Sequence, residues 1–430
     1  MVFGDSDGGM HTSVASYFSN TAKLEPAFIV SPASVDHLSA VIKVLVGAGE
    51  KFAVSNGGHS PVAGSNGIKN GDTVDLSRVR WKHVYEAPQD HGRVVVGGRE
   101  GDTGVAGFLL GGGNTWFTAQ RGFGCDNVVS YELMLADGQI ITVKQDGEHG
   151  DLFRALKADP TIVASLYLGG TTLSSKEYIP DALGAVAEFT TNLPQNPHSS
   201  LIAAVNYIPQ IKHIGAGAAM VETHGVKNAA SFEKWMKMPR LVDTTGKKSI
   251  LAMGLDTALP YDFDTWFTLT IKNDIRIMQT AVEVHESLVN DLKAFIPDGD
   301  FVTQCLFQPL PTTFAQRSLE QGGNVMGLER NKSDGLLFQL NAMVKTVQQH
   351  EFAHPKVKSG TQAIKEFAAI IEGGLLDWIY LNYADGSQDP LGSYGAENVK
   401  FMNDVAARYD PKKVFQVLCP GGFKLADQTA

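Results

Sequence analysis

The residues best placed to do chemistry in this chain are embedded in glycine. His59 stands between Gly58 and Ser60 in FAVSNGGHSPVAGSNG, residues 52–67, and a second glycine-rich run, GGREGDTGVAGFLLGGGNTWFTAQRGFGCDNVVSYELMLADG, fills residues 97–138. Glycine has no Cβ, reaches positive φ and lets main-chain N–H groups touch a bound group, so both runs predict backbone laid against a flat or phosphorylated ligand. His59 has two readings: a turn residue in unusual backbone geometry, or a reactive imidazole, neutral and nucleophilic near pH 7. Other patterns carry less. His350-Glu351-Phe352-Ala353-His354 fits HExxH, in which two histidines one helical turn apart hold zinc and the glutamate activates water. Pro355 follows directly and no third ligand is evident, so QQHEFAHPKVKSG reads as a surface helix end or loop and no metal is assigned. Gly215-Ala216-Gly217 lacks the third glycine of a dinucleotide fingerprint, and Gly246-Lys247-Lys248-Ser249 lacks the upstream glycine of a P-loop. Cys125, Cys305 and Cys419 form no CxxC pair and suggest neither a zinc site nor a disulfide framework.

The elements that must hold these residues are legible from pattern. A short apolar strand from Ala27 leads into SPASVDHLSAVIKVLVGAG, a helix with Ser34 as N-cap, apolar spacing at Leu38, Val41, Ile42 and Leu45, and glycine near its end. Strand FAVSN, the GGHS loop and strand TVDLS follow, which makes an α+β unit. From about Thr171 to Asp385 amphipathic helices such as AVEVHESLVNDLKAFI and AIKEFAAIIEGGL alternate with the strand-like WFTLTI, FVTQCLF and LLFQLNAMV. That texture predicts helices on one face of an antiparallel sheet, with the other face left for a ligand. The expected division is residues 1–165, residues 166–385, and a C-terminal segment, 386–430, that returns to the first unit. With 36 basic against 46 acidic side chains and a formal net charge of -10, a nucleic-acid partner is not expected. No run of 18 apolar residues exists, so no membrane span is expected, and MVFGDSDGGMHTS has no export signal. The expected location is cytoplasmic as the chain stands, or secreted if residues precede it.

Together the glycine blocks GGHS, GDTGVAGFLLGGG and DNVV…ADG resemble flavoproteins of the vanillyl-alcohol-oxidase/PCMH superfamily, and within it the fungal berberine-bridge-enzyme-like group, from near Tyr17 to Leu425. The resemblance implies a two-domain α+β protein, a PCMH-type FAD-binding domain plus a substrate domain, with FAD covalently attached through His59. It implies that backbone at Asn56, Gly57, Gly58, His59 and Ser60 cradles the pyrophosphate. It also implies that Gly104, Gly107, Gly111, Gly112 and Gly113 pass close to the flavin and that Asp126-Asn127 lies near the ribityl chain. Where many relatives carry a second, cysteine anchor this chain has Glu100, which implies single attachment. Ser55 replaces a usual arginine, and Thr103 stands where a small apolar residue gates oxygen, leaving oxidase and dehydrogenase both open. In WIYLNYADG, Tyr380, Asn382 and Tyr383 match a Y-x-N-Y strand that overhangs the flavin and takes the substrate proton. Strand alternation would put Tyr383 on the opposite face from the other two unless the strand is bulged or ending.

Thr268 and Thr270 on one strand, Gln339 and Asn341 on another, and Trp116 are the candidate substrate contacts; Trp116 alternatively fills the core. Two stretches depart from the family. A strand-sized piece is missing after DLSRVR, and ADPTIVASLYLGG replaces a cofactor-holding turn and strand after Lys157. The expected activity is oxidation of a small alcohol, amine or secondary-metabolite intermediate by hydride transfer to flavin N5, with O2 as acceptor. The rivals are a non-redox flavin cyclase and a cofactor-free remnant acting as a binding protein.

Overall fold

The computed structural model describes residues 2–3, 13–76, 79–89, 91–156, 162–163, 167–260 and 262–425. Both departures from the family pattern adjoin residues outside this set.

A four-stranded sheet supports the first glycine loop. Its strands are β1 (Val2–Phe3), β2 (Phe28–Val30), β3 (Phe52–Ser55) and β4 (Asp72–Asp75), in the order β1-β2-β4-β3. β2 and β3 both run parallel to β4, and such a connection needs a crossover. Helix α1 (Val35–Ala48) supplies it, begun by Ser34, whose hydroxyl accepts from His37 N–H at 3.2 Å, and ended by Gly49 at φ 71°. Ile42 and Leu45 of α1 meet Phe52 and Val74 in a small core. The chain leaves β3 directly into the GGHS loop, so the position of His59 is fixed by a buried strand end. The C-terminal segment closes on the same sheet, where Phe52 N–H donates to Leu418 carbonyl at 2.8 Å, and on the helix Gly150–Leu156, where Tyr409 hydroxyl donates to Asp151 at 3.0 Å.

The second part is built on a nine-stranded sheet. Its long strands are β5 (Tyr167–Ser174), β6 (Ser199–Tyr207), β7 (Ile214–Glu222), β8 (Phe263–Lys272), β9 (Val302–Leu310) and β10 (Gly335–Val344). They pair antiparallel in the order β5-β7-β6-β9-β10-β8, with short strands at the edges. Three long helices, α2 (Ile179–Asn192), α3 (Ile275–Phe295) and α4 (Val347–Ala369), share a hydrophobic core with this sheet. Leu336, Phe338 and Leu340 of β10 and Phe307 of β9 are wholly buried there, each contributing roughly 1.5–3 kcal/mol of burial. Alternation then puts Gln339 of β10 and Gln304, Leu306 and Gln308 of β9 on the opposite face.

Two expectations are corrected. The HExxH segment is not a loop: it lies in the first two turns of α4, and Pro355 does not stop that helix, which runs on to Ala369. The buried stripe Ala353, Val357, Thr361, Ile364 and Ala368 anchors that helix to the core and outweighs the roughly 3 kcal/mol proline penalty. His354 pairs with Asp385 at 3.1 Å, and His350 faces Thr265 at 3.2 Å. The YLNY segment is not a strand: Leu381–Tyr383 form a 3-10 turn with Tyr380 at its start. Among the described residues no helix is long and apolar enough to cross a membrane.

Candidate active site

Both glycine-rich runs, the helix-free face of the large sheet and the YLNY turn enclose a single cavity of about 850 Å³. A smaller one, about 260 Å³, lies between α2 and Ala230–Phe232 and contains none of the candidate residues.

The two glycine runs cross at Gly57 and Gly104. A Cβ on Gly57 would stand 2.1 Å from Gly104 Cα, and one on Gly104 would stand 2.6 Å from Gly57 Cα. This contact is possible only between glycines, and it brings the GGHS loop against the segment carrying Arg99, Glu100 and Thr103. Main-chain N–H groups of Gly57, Gly58 and His59 make no hydrogen bond among the described residues. Buried Asn56 Oδ1 and Ser55 Oγ are likewise unpartnered. A wall of free donors at positive φ on Gly58 suits an anion held by backbone.

His59 lies flat on Phe18, ring centroids 4.2 Å apart, with Nε2 3.5 Å from Glu100 Oε2. Burial, then the nearby Arg80 charge, lowers its pKa to about 4, against the opposing pull of Asp102. The imidazole is therefore uncharged at neutral pH. Burial also raises Glu100, whose carboxylate accepts from Asp102 N–H at 3.1 Å and Thr103 hydroxyl at 3.0 Å. Thr103 thus turns its hydroxyl to Glu100 at the cavity wall.

The 3-10 turn brings together what strand alternation would have separated. Tyr380 hydroxyl accepts from Asn114 N–H at 2.7 Å and Asn382 Nδ2 at 3.1 Å, and the ring is 1% exposed. Burial, then the adjacent Tyr383, pushes its pKa well above the usual phenol range. Tyr383 hydroxyl accepts from Arg99 Nη2 at 3.0 Å and Gln308 Nε2 at 3.1 Å, while Arg99 Nη2 also donates to Gln308 Oε1 at 2.5 Å. Arg99 lies over Trp116, 5.7 Å from the ring centroid. Sequence reasoning missed Arg99 and Gln308. Arg99 is visible inside the glycine run, and Gln308 on the same strand face as Gln304, but nothing local joins them.

Among the candidates, Asn56, Gly57, Gly58, His59, Ser60, Gly104, Gly107, Gln339, Tyr380, Asn382 and Tyr383 all line this cavity. The others stand behind its wall. Gly111 makes room for Asn382, whose Oδ1 would meet a Cβ at 2.1 Å, and Gly112 and Gly113 pack on Met326 and Phe108. Asp126 accepts from Phe123 N–H and Asn324 Nδ2, both at 2.9 Å, and Asn127 donates to Phe123 carbonyl at 2.6 Å, so the pair ties down the loop. Thr268 and Thr270 donate to the carbonyls of Phe338 and Trp378, both at 2.6 Å, and Asn341 donates to Gln304 at 3.0 Å. Trp116, 1% exposed, is a core residue beneath Arg99.

No family model matches the chain. It is 32% identical to the FAD-dependent monooxygenase drtC of Aspergillus calidoustus, over 99% of this chain and 88% of that protein. It is 30% identical to the FAD-dependent monooxygenase sdcF of Emericella nidulans, over 96% and 93%. Among solved structures, 6-hydroxy-D-nicotine oxidase from Arthrobacter nicotinovorans superposes with a TM-score of 0.79 at 15% identity, covering 99% and 97% of the two chains. Glucooligosaccharide oxidase from Acremonium strictum, a 6-S-cysteinyl, 8α-N1-histidyl FAD protein, gives 0.70 at 16% identity, covering 96% and 95%. These likenesses establish a common fold.

Proposed function

The chain belongs to the PCMH-type FAD-linked oxidoreductases, among the fungal FAD-dependent monooxygenases of secondary metabolism, and we propose that it oxidises a small alcohol, amine or secondary-metabolite intermediate with FAD held covalently through His59. One observation carries the reading: a neutral imidazole, unpaired main-chain donors and a phenol gripped by an arginine share one cavity. FAD, when bound, would supply a hydride acceptor at N5, with O2 as the proposed final acceptor and hydrogen peroxide as its product.

The chain's own residues divide the remaining work. Main-chain N–H groups of Gly57, Gly58 and His59 bind the pyrophosphate, balancing its charge without a lysine. His59, kept uncharged by burial, has a ring nitrogen available for the single covalent bond. Glu100 occupies the place of a second anchor and offers no thiol. Tyr383 takes the substrate's proton: it lines the cavity, and its oxygen is held there by bonds donated from Arg99 and Gln308. Tyr380 plays a different part. Burial disfavours its phenolate, and its bonds run to Asn114 N–H and Asn382, so with Asn382 it holds the turn in place.

Intact mass of the native protein is the test, with a gain of one FAD expected. His59→Ala should release flavin on acid precipitation, and substrate should bleach the wild type anaerobically. Protein that stays colourless after refolding with FAD overturns the reading. Flavin that never bleaches replaces oxidation with folding of a polyketide-like chain in the same cavity. A product enriched by one oxygen atom from O2 replaces it with oxygen insertion.

A further inference from the structure

The cavity face of the large sheet carries an array of amide side chains that the Tyr383 site does not use. Asn206 of β6, Gln304 of β9 and Asn341 of β10 are direct cross-strand neighbours, and Gln339 is two residues along β10, opposite Leu306. Asn341 Nδ2 donates to Gln304 Oε1 at 3.0 Å. Asn206 Oδ1, Asn341 Oδ1 and Gln339 Nε2 are buried with no partner among the described residues, Gln339 and Asn341 being 4% and 1% exposed. Asn206, Gln304 and Gln339 line the cavity. Gly217 makes the space for Asn206: a Cβ there would stand 2.6 Å from Asn206 Nδ2. Buried amide groups without partners cost stability, so their survival on one face points to a ligand that completes them.

Charge and spacing define that ligand. No Asp, Glu, Lys or Arg from the sheet strands lines the cavity, which disfavours a charged group at this end. Gln304 is four residues from Gln308 on β9, roughly 13 Å at about 3.3 Å per residue. Leu306 and Ala204, paired across the strands, make the interval apolar. Resting on oxidation at Tyr383, we propose that the substrate is an elongated, uncharged molecule with an apolar middle. Its far end, roughly 13 Å along β9 from Gln308, carries carbonyl, carboxamide or hydroxyl groups that Asn206, Gln304 and, from its place opposite Leu306, Gln339 recognise.

The test uses biphenylmethanols with the primary alcohol at one para end and a carboxamide, hydroxyl, methyl or carboxylate at the other. Dissociation constants are measured by calorimetry, and flavin content separately by absorbance. In wild type the carboxamide and hydroxyl probes bind at least about tenfold tighter than the methyl probe, and the carboxylate binds weakest. Gln304→Leu with Gln339→Leu removes that preference and leaves methyl-probe affinity within about threefold. Should the double variant melt early, Asn206→Ala reports the same loss alone. Equal binding across the series, a preference that survives these substitutions, or no binding by any probe overturns the proposal. Selective binding by protein that stays colourless after refolding with FAD would sink the oxidation reading and leave this one standing. A flavin-loaded protein that bleaches without end-group preference would do the reverse.

Discussion

Gly57→Ala and Gly107→Ala are the same chemical change with opposite expected signs, and the pair tests how the cofactor cradle is built. At Gly57 the new methyl stands 2.1 Å from Gly104 Cα and 2.6 Å from Gly104 N, where ordinary contacts begin at 3.4 Å. The obstruction is backbone, and no side chain can rotate away. The two glycine runs must therefore part by about 1.3 Å, breaking a contact that both residues bury. Overpacking typically costs ~1–3 kcal/mol, and backbone against backbone belongs at or above the upper end. We expect a loss of about 3 kcal/mol or more, and a fall in melting temperature of roughly 3 °C or more. At Gly107 a new methyl meets nothing within 4 Å, inside the helix Val105–Leu110. Replacing glycine by alanine there should stabilise by ~0.5–1 kcal/mol. Thermal unfolding of both variants, read by circular dichroism beside the flavin-to-protein absorbance ratio, decides the matter. Gly57→Ala melting with wild type, or Gly107→Ala destabilised to the same degree, would refute this account of the crossing. Loss of flavin without loss of stability in Gly107→Ala is what the proposed cofactor contact at that residue predicts.

Two further outcomes follow from side-chain geometry. Tyr383→Phe should slow anaerobic bleaching by ~10²–10⁴-fold, a rate loss far larger than the ~1–3 kcal/mol of stability that leaving Gln308 Nε2 without its acceptor costs. Tyr380→Phe should act mainly on stability, costing ~1–3 kcal/mol because Asn114 N–H is left buried and unpaired. A reversed ranking in stopped-flow rates would transfer the proton to Tyr380. For flavin-free protein the depressed pKa of His59 sets an acid limb. The unfolded chain takes up the proton near 6.5 and the folded chain only near 4, so stability is lost as pH falls through that window. The share is up to about 3 kcal/mol, and His59→Gln should remove it from the acid unfolding curve. Coincident curves would mean that the ring is solvated.

The parts of the molecule legible in the sequence are those governed by local rules. Ser34 and Gly49 bracket a helix because their backbone requirements are set within a few residues. The strands WFTLTI, FVTQCLF and LLFQLNAMV are visible as apolar runs, and their mutual burial bears them out. Misreadings arise where distant contacts outvote local preference. YLNY has the aromatic, extended look of a strand, yet Asn114 N–H and Phe108 carbonyl, both in the glycine run, hold Tyr380 and Asn382 in a turn. Pro355 reads as a helix stop, yet a buried stripe carries α4 past it. Gly111, Gly112 and Gly113 do demand close approach, but that approach is to Asn382, Met326 and Phe108 and not to the cavity.

Tyr383 shows most sharply what a linear reading omits. Its oxygen gathers donors from Arg99 in the glycine run and Gln308 in the large sheet, and Arg99 lies 284 positions away in the chain. None of the three segments alone fixes the phenol: the YLNY turn sets its height, the sheet sets Gln308, and the crossing of Gly57 over Gly104 sets the run that carries Arg99. Arg99 in turn has its second bond to Gln308 and its face on Trp116, so the guanidinium is held before any ligand arrives. The acid–base residue proposed at Tyr383 is assembled only when both glycine runs and the sheet are docked. The proposed cofactor cradle and the proposed proton acceptor are thereby mutually dependent, and a defect at the Gly57–Gly104 crossing should cost chemistry at Tyr383 as well as flavin retention.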